Sequence, residues 1–122
     1  MKITLVVADD QPAFCQLVRD LTQANGRFEM VGQAQDGLAA LQLVDELRPD
    51  VVLLDVQMPA LDRLQCASIL RTRFPAMKIL LTSGHRPGEL KELAPASGAD
   101  AFIPKDEISA HRLWEAYQGD TT

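Results

Sequence analysis

Five short apolar runs, at 3–8, 28–34, 51–54, 78–82 and 101–104, are separated by longer segments in which apolar residues return at helical spacing. The runs at 3, 51 and 78 are continuously apolar rather than alternating, as expected of strands covered on both faces. Strand followed by helix five times leaves few arrangements, because crossovers between parallel strands are right-handed. The pattern predicts an α/β fold, a doubly wound parallel sheet with helices on both faces.

The spacers show how the helices would lie. In the first, Phe14, Leu17, Val18 and Leu21 share a face, and Pro12 suits the first turn. In the second, Leu38, Leu41, Val44 and Leu47 do the same until Pro49 stops the helix after Arg48. A third helix is expected over 62–74 with Leu64, Ala67, Ile69 and Leu70 apolar, ending before Pro75, and a short fourth over 87–96. A last helix over 107–117 carries Ile108, Leu113 and Trp114 and ends near Gly119.

A chain of 122 residues, 47% of them hydrophobic, can bury one core and is too short for two. The expectation is one domain over 1–118 followed by a polar tail, 119–122. Cys15 and Cys66 sit alone inside helical patterns, without the spacing of a disulfide framework or zinc site. His85 and His111 show no metal-ligand spacing either. No stretch approaches membrane-spanning length and the first apolar run is too short for a secretion signal, so a reduced, cytoplasmic setting without membrane contact is expected. The formal charge of −5 argues against direct nucleic-acid binding, which depends on cations replacing the counterions of phosphates.

Polar residues interrupt the apolar runs at their C-terminal ends: Asp9 and Asp10, Asp55, Thr82 and Ser83, and Lys105. In a parallel sheet those ends share one edge, where open α/β folds bind ligands. Three crowded carboxylates repel unless a cation lies among them, and Mg2+, with its preference for oxygen ligands and retained waters, is the natural one. A metal ion and a lysine at one site suit phosphoryl transfer, which is mainly positioning and charge neutralisation. Asp55 stands alone at the end of a central strand and is the candidate acceptor, with Asp9 and Asp10 as a metal-binding pair. Simpler roles exist for each: Asp9 and Asp10 as helix caps, Thr82 satisfying backbone at a strand end, and Lys105 as a solvated loop lysine.

The segments Ala8-Asp9-Asp10, Asp36-Gly37, the run from Pro49 through Asp55 to Met58-Pro59, Leu80-Leu81-Thr82-Ser83, and Gly98-Ala99-Asp100-Ala101-Phe102-Ile103-Pro104-Lys105 occur in an order and spacing that resemble the CheY-like response-regulator receiver domain over essentially the whole chain. The Gln11-Pro12 entry and the segment 28–32 look most like the NarL/FixJ subfamily, whose receivers precede a LuxR-type helix-turn-helix domain. The resemblance implies a flavodoxin-like (βα)5 fold with strand order 2-1-3-4-5. It also implies a two-component phosphorelay function, in which a sensor histidine kinase or phosphotransfer protein donates a phosphoryl group to Asp55. By position, Asp10, Asp55 and the backbone carbonyl of Gln57 would bind Mg2+ directly and Asp9 through water. Thr82 and Lys105 would bond the transferred oxygens, and Phe102 would be the aromatic switch position. Homodimerisation or effector-domain contact would use the face made by 87–96, the fifth strand and the last helix.

Such a domain catalyses its own phosphorylation and slow dephosphorylation, and is a signalling switch rather than an enzyme in the usual sense. The alternative is a pseudo-receiver that serves as a scaffold without phosphorylation. Arg63 follows Asp62 where the family pattern has glycine, a departure in the loop before the third helix. A phosphatase of the haloacid-dehalogenase type wants a second Asp where Gln57 stands, and no nucleotide-binding glycine loop occurs.

Overall fold

The structure is a computed structural model that describes residues 2–56, 63–84 and 98–119, with backbone alone for 63–65. Its five strands are β1 (Ile3–Ala8), β2 (Phe28–Ala34), β3 (Val51–Asp55), β4 (Lys78–Ser83) and β5 (Ala101–Pro104). They form one sheet in the order β2-β1-β3-β4-β5, and every neighbouring pair is parallel. The described helices are α1 (Pro12–Asn25), α2 (Gly37–Leu47), α3 (Arg63–Arg73) and α4 (Ala110–Gln118), with a 3-10 turn at Lys105–Glu107. The helix expected over 87–96 and the loop before Arg63 lie outside the described residues.

Alternation along the strands divides the core into two layers. Leu5, Val7, Val51, Leu53, Leu80 and Ile103 pack with Phe14, Cys15 and Val18 of α1 and Leu113 of α4. On the other face Val6, Ala8, Val52, Leu54, Ile79, Leu81 and Phe102 meet Ala40 and Val44 of α2 and Cys66, Ala67 and Leu70 of α3. Strand order reverses beside β1, whose next strand in sequence lies on one side and β3 on the other. That crevice is where the two acidic strand ends meet.

The strands match expectation closely, but the buried helix faces are rotated from it. Helix α1 buries Phe14, Cys15, Val18 and Thr22, while Leu17 is exposed. Thr22 tolerates burial because its hydroxyl donates to the carbonyls of Val18 and Arg19. Helix α2 buries Gly37, Ala40 and Val44 and leaves Leu38 and Leu47 exposed. Leu43 of α2 reaches over β2, where a Cβ on Gly32 would stand 2.8 Å from its Cδ2.

Helix ends follow capping chemistry. The Asp36 carboxylate accepts the Ala39 N–H at 2.8 Å and opens α2. Arg48 closes it in the left-handed region at φ 47°, and Pro49 cannot continue it. The last helix starts later than expected, since the Ser109 hydroxyl accepts the Arg112 N–H at 3.0 Å and Lys105–Glu107 forms a separate 3-10 turn.

The far side of β5 is fixed by Arg71 on α3. Its guanidinium donates to the carbonyls of Gly98 (2.9 Å), Pro75 (2.8 Å) and Met77 (2.9 Å) and pairs with Asp100. The Asp100 carboxylate also accepts the Ile79 N–H at 2.8 Å. One side chain thus joins α3, the entry to β4 and the turn into β5.

Candidate functional site

The strand parity that sorts the core also sorts the site. Asp9, Asp55 and Thr82 continue the series Leu5-Val7, Val51-Leu53 and Leu80, so they emerge on the α1/α4 side of the sheet's C-terminal edge. Asp55 and Thr82 are register partners. Asp9, Asp55 and Thr82 are buried, whereas Asp10 is exposed.

One carboxylate oxygen from each of Asp9, Asp10 and Asp55 lies within 4.8 Å of the others. Lys105, carried just past β5, brings its Nζ to 2.7 Å from Asp9 Oδ2 and 3.5 Å from Asp55 Oδ2. Asp9 Oδ1 accepts the Gln11 N–H at 2.8 Å, but Oδ2 is buried and receives no hydrogen bond of good geometry. The ammonium at 2.7 Å forms an ion pair with Oδ2. A buried carboxylate oxygen with an ammonium against it but no hydrogen bond of good geometry, beside two other carboxylates and with Asp10 open to solvent for retained waters, fits a small hard cation such as Mg2+.

Helix capping does not account for the acidic pair. The N-cap of α1 is Gln11, with no side-chain cap bond, and Asp9 instead folds back to hold the Gln11 N–H. Thr82 does take part in strand-end bonding: its hydroxyl donates to the Ile103 carbonyl at 2.7 Å, and its own carbonyl accepts the Val56 N–H at 2.9 Å. Phe102 lies on the opposite face of β5, 8% exposed, in the α2/α3 layer. The backbone carbonyl of Gln57 lies outside the described residues.

Two side chains that strand-end reasoning passed over complete the surroundings of Lys105. Gln11 Oε1 accepts from Nζ at 2.8 Å, and the Phe14 ring centroid is 4.7 Å from it. The signal for Gln11 was its place directly after the acidic pair, which also makes it the first residue to turn back over the edge. Cys15 borders the site too, its thiol donating to the Asp9 carbonyl at 3.8 Å. Burial, and then the Asp9 charge, push that thiol's pKa up.

The chain is similar in sequence and fold to known proteins. The chain is 38% identical over 105 residues to the probable transcriptional regulatory protein NarL of Mycobacterium tuberculosis, covering 86% of this chain and 49% of that protein. It is 32% identical over 115 residues to the transcriptional regulatory protein DegU of Brevibacillus brevis, covering 94% and 48%. The chain thus spans about half the length of these curated relatives. A protein-glutamate methylesterase/protein-glutamine glutaminase of Pyrococcus horikoshii is 33% identical over 109 residues, which cover 88% of this chain and 30% of that protein.

Among solved structures, the signal receiver domain of NarL from M. tuberculosis superposes with a TM-score of 0.84 at 37% identity, covering 94% of this chain and 96% of that one. A LuxR-family DNA-binding response regulator from Staphylococcus aureus gives 0.81 at 30% identity, covering 95% and 96%. Residues 5–118 match the family model of the response regulator receiver domain, and with this fold and these relatives the chain belongs to that family.

Proposed function

We propose that the chain is a phosphoryl-accepting switch in which Asp55 takes a phosphoryl group from a phosphohistidine of a sensor kinase or phosphotransfer protein. The observation that carries this reading is the convergence of three carboxylates within 4.8 Å with the Lys105 ammonium against two of them. Asp9, Asp10 and Asp55 would hold Mg2+, joined by the Gln57 carbonyl that the family pattern implies. The ion supplies charge neutralisation for the transferring oxygens.

In the transfer step an Asp55 carboxylate oxygen attacks phosphorus, the P–N bond breaks, and the imidazole nitrogen leaves with the electron pair and takes up a proton. Water attacking the same phosphorus later returns the carboxylate and inorganic phosphate. Lys105 is close enough to Asp55 to follow the new negative charge. Thr82 must turn its hydroxyl from the Ile103 carbonyl to reach a phosphoryl oxygen, which breaks a tie between β4 and β5.

That broken tie supports a switch running through β4, β5 and α4, with Phe102 as the packing element that responds. The surface so altered would serve homodimerisation or an effector domain, and a kinase-facing role puts the domain in the cytoplasm. Among the described residues no helix is long and apolar enough to cross a membrane. The methylesterase activity belongs to a relative of which this chain covers 30%.

Borohydride reduction tests the assignment. After incubation with acetyl phosphate and Mg2+, an aspartyl phosphate is reduced to homoserine, so the peptide containing residue 55 should carry that change. Omission of Mg2+ with added EDTA should abolish it. Reduction at another carboxylate would overturn the acceptor assignment, and no reduction at all would favour a scaffold.

A further inference from the structure

The short directed hydrogen bond of the Lys105 ammonium goes to a neutral group. Gln11 Oε1 accepts at 2.8 Å, whereas the closer Asp9 Oδ2 receives no bond of good geometry and Asp55 Oδ2 lies at 3.5 Å. Beneath the ammonium lies the face of Phe14, 4.7 Å to the ring centroid. Phe14 is 6% exposed and packed into the α1 layer. The backbone from which the exposed Gln11 side chain reaches is anchored, since the Gln11 N–H donates to Asp9 Oδ1 at 2.8 Å.

Charge explains why a neutral seat matters. An ammonium and a divalent cation would compete for the buried Asp9 Oδ2, because two positive charges drawn to one oxygen repel each other. When a cation claims Asp9, a lysine held only by that carboxylate would swing into solvent on its flexible stem. An amide oxygen and an aromatic face carry no net charge for the metal to compete for, and both attract an ammonium. Held there, Lys105 stays beside Asp55, and weakly enough to move onto a phosphoryl oxygen.

We propose that Gln11 and Phe14 are positioning residues that form a neutral seat for the Lys105 ammonium, retaining it at the site after Mg2+ takes the acidic cluster. This rests on the phosphoacceptor reading for its consequence, though the seat itself is a matter of geometry.

The test uses the full chain as wild type, Gln11→Met and Phe14→Leu, with two measurements. The first is the rate of labelling by acetyl phosphate at saturating Mg2+, alongside the Mg2+ affinity. Loss of one hydrogen bond predicts a limiting rate about three- to tenfold lower for Gln11→Met, with Mg2+ affinity changed less than about twofold. The second is the NMR resonance of the Lys105 ε-methylene in the Mg2+-bound protein. The Phe14 ring current should shift it upfield in the wild type, and both substitutions should move it toward the free-lysine position while amide resonances of β2 and α2 stay in place.

An unmoved Lys105 resonance in Gln11→Met overturns the seat, whatever the labelling rate does. A moved resonance with an unchanged labelling rate overturns its role in transfer. Failure of the wild type to label at all would sink the phosphoacceptor reading instead, and the resonance would still decide whether the seat exists.

Discussion

Asp55 and Thr82 stand opposite each other on adjacent parallel strands, and the Val56 N–H closes the ladder beyond them on the Thr82 carbonyl at 2.9 Å. The backbone around Asp55 is therefore fixed, while the Thr82 hydroxyl is bonded sideways to the Ile103 carbonyl. A phosphoryl group on Asp55 would recruit that hydroxyl and leave the Ile103 carbonyl without it.

The first prediction follows from that exchange. Beryllofluoride with Mg2+, a phosphoryl mimic, should change amide hydrogen exchange most within about residues 82–118. Smaller effects are expected over α1 and α2 apart from residues beside Asp9 and Asp10. Changes centred on 14–48 would mean that the signal leaves through another surface.

Asp10→Ala should weaken Mg2+ binding by more than about tenfold and block phosphorylation, since a charged oxygen ligand is lost. The apo fold should survive or gain slightly in thermal stability, because one of three crowded carboxylates is gone. Calorimetric titration with Mg2+ reads the first effect and a melting curve the second. Unchanged Mg2+ affinity would remove Asp10 from the metal site.

Arg71→Lys should cost about 2–3 kcal/mol in urea unfolding, because a lysine cannot make the guanidinium's several directed bonds at once. Gly98→Ala should cost about 1–3 kcal/mol through its φ of +89° and a Cβ placed 3.2 Å from Arg71 Cβ. Both act on the junction where Arg71 Nε donates to the Gly98 carbonyl at 2.9 Å, so the double variant should be destabilised by less than the sum. Additive losses would show that the latch around Asp100 is not a single unit.

Native Cys15 and Cys66 should resist iodoacetamide at pH 8.5 and react readily in urea, since both are buried and the thiolate is the nucleophile. Burial pushes the Cys66 thiol from 9.0 up to about 11. Its folded pKa is raised, so its contribution to stability is full below pH 9.0 and is lost as pH rises toward about 11. Cys66→Ala should flatten the fall in stability over that window, and an equal slope in both proteins would contradict the assignment.

The sheet was legible because fully buried parallel strands must be continuously apolar, which marks 3–8, 51–54 and 78–82 without help from neighbours. Polar residues at the ends of such runs point to the ligand edge, and Asp9, Asp10, Asp55 and Lys105 do meet there. Helix faces were less legible, since apolar periodicity counts Leu17, Leu38 and Leu47 while packing selected Thr22, Gly37 and Ala40. Thr22 satisfies its hydroxyl inside its own helix, which spacing alone does not reveal. Gln11 and Arg71 were missed for a related reason, because their roles depend on partners 94 and 29 residues away.

The central claim is that Asp55 is a phosphoryl acceptor, and intact mass after incubation with acetyl phosphate and Mg2+ tests it most directly. The wild-type chain should gain about 80 Da, and Asp55→Asn should gain nothing, because an amide is not an anionic nucleophile. Equal labelling of the two proteins, or none of the wild type, would contradict it.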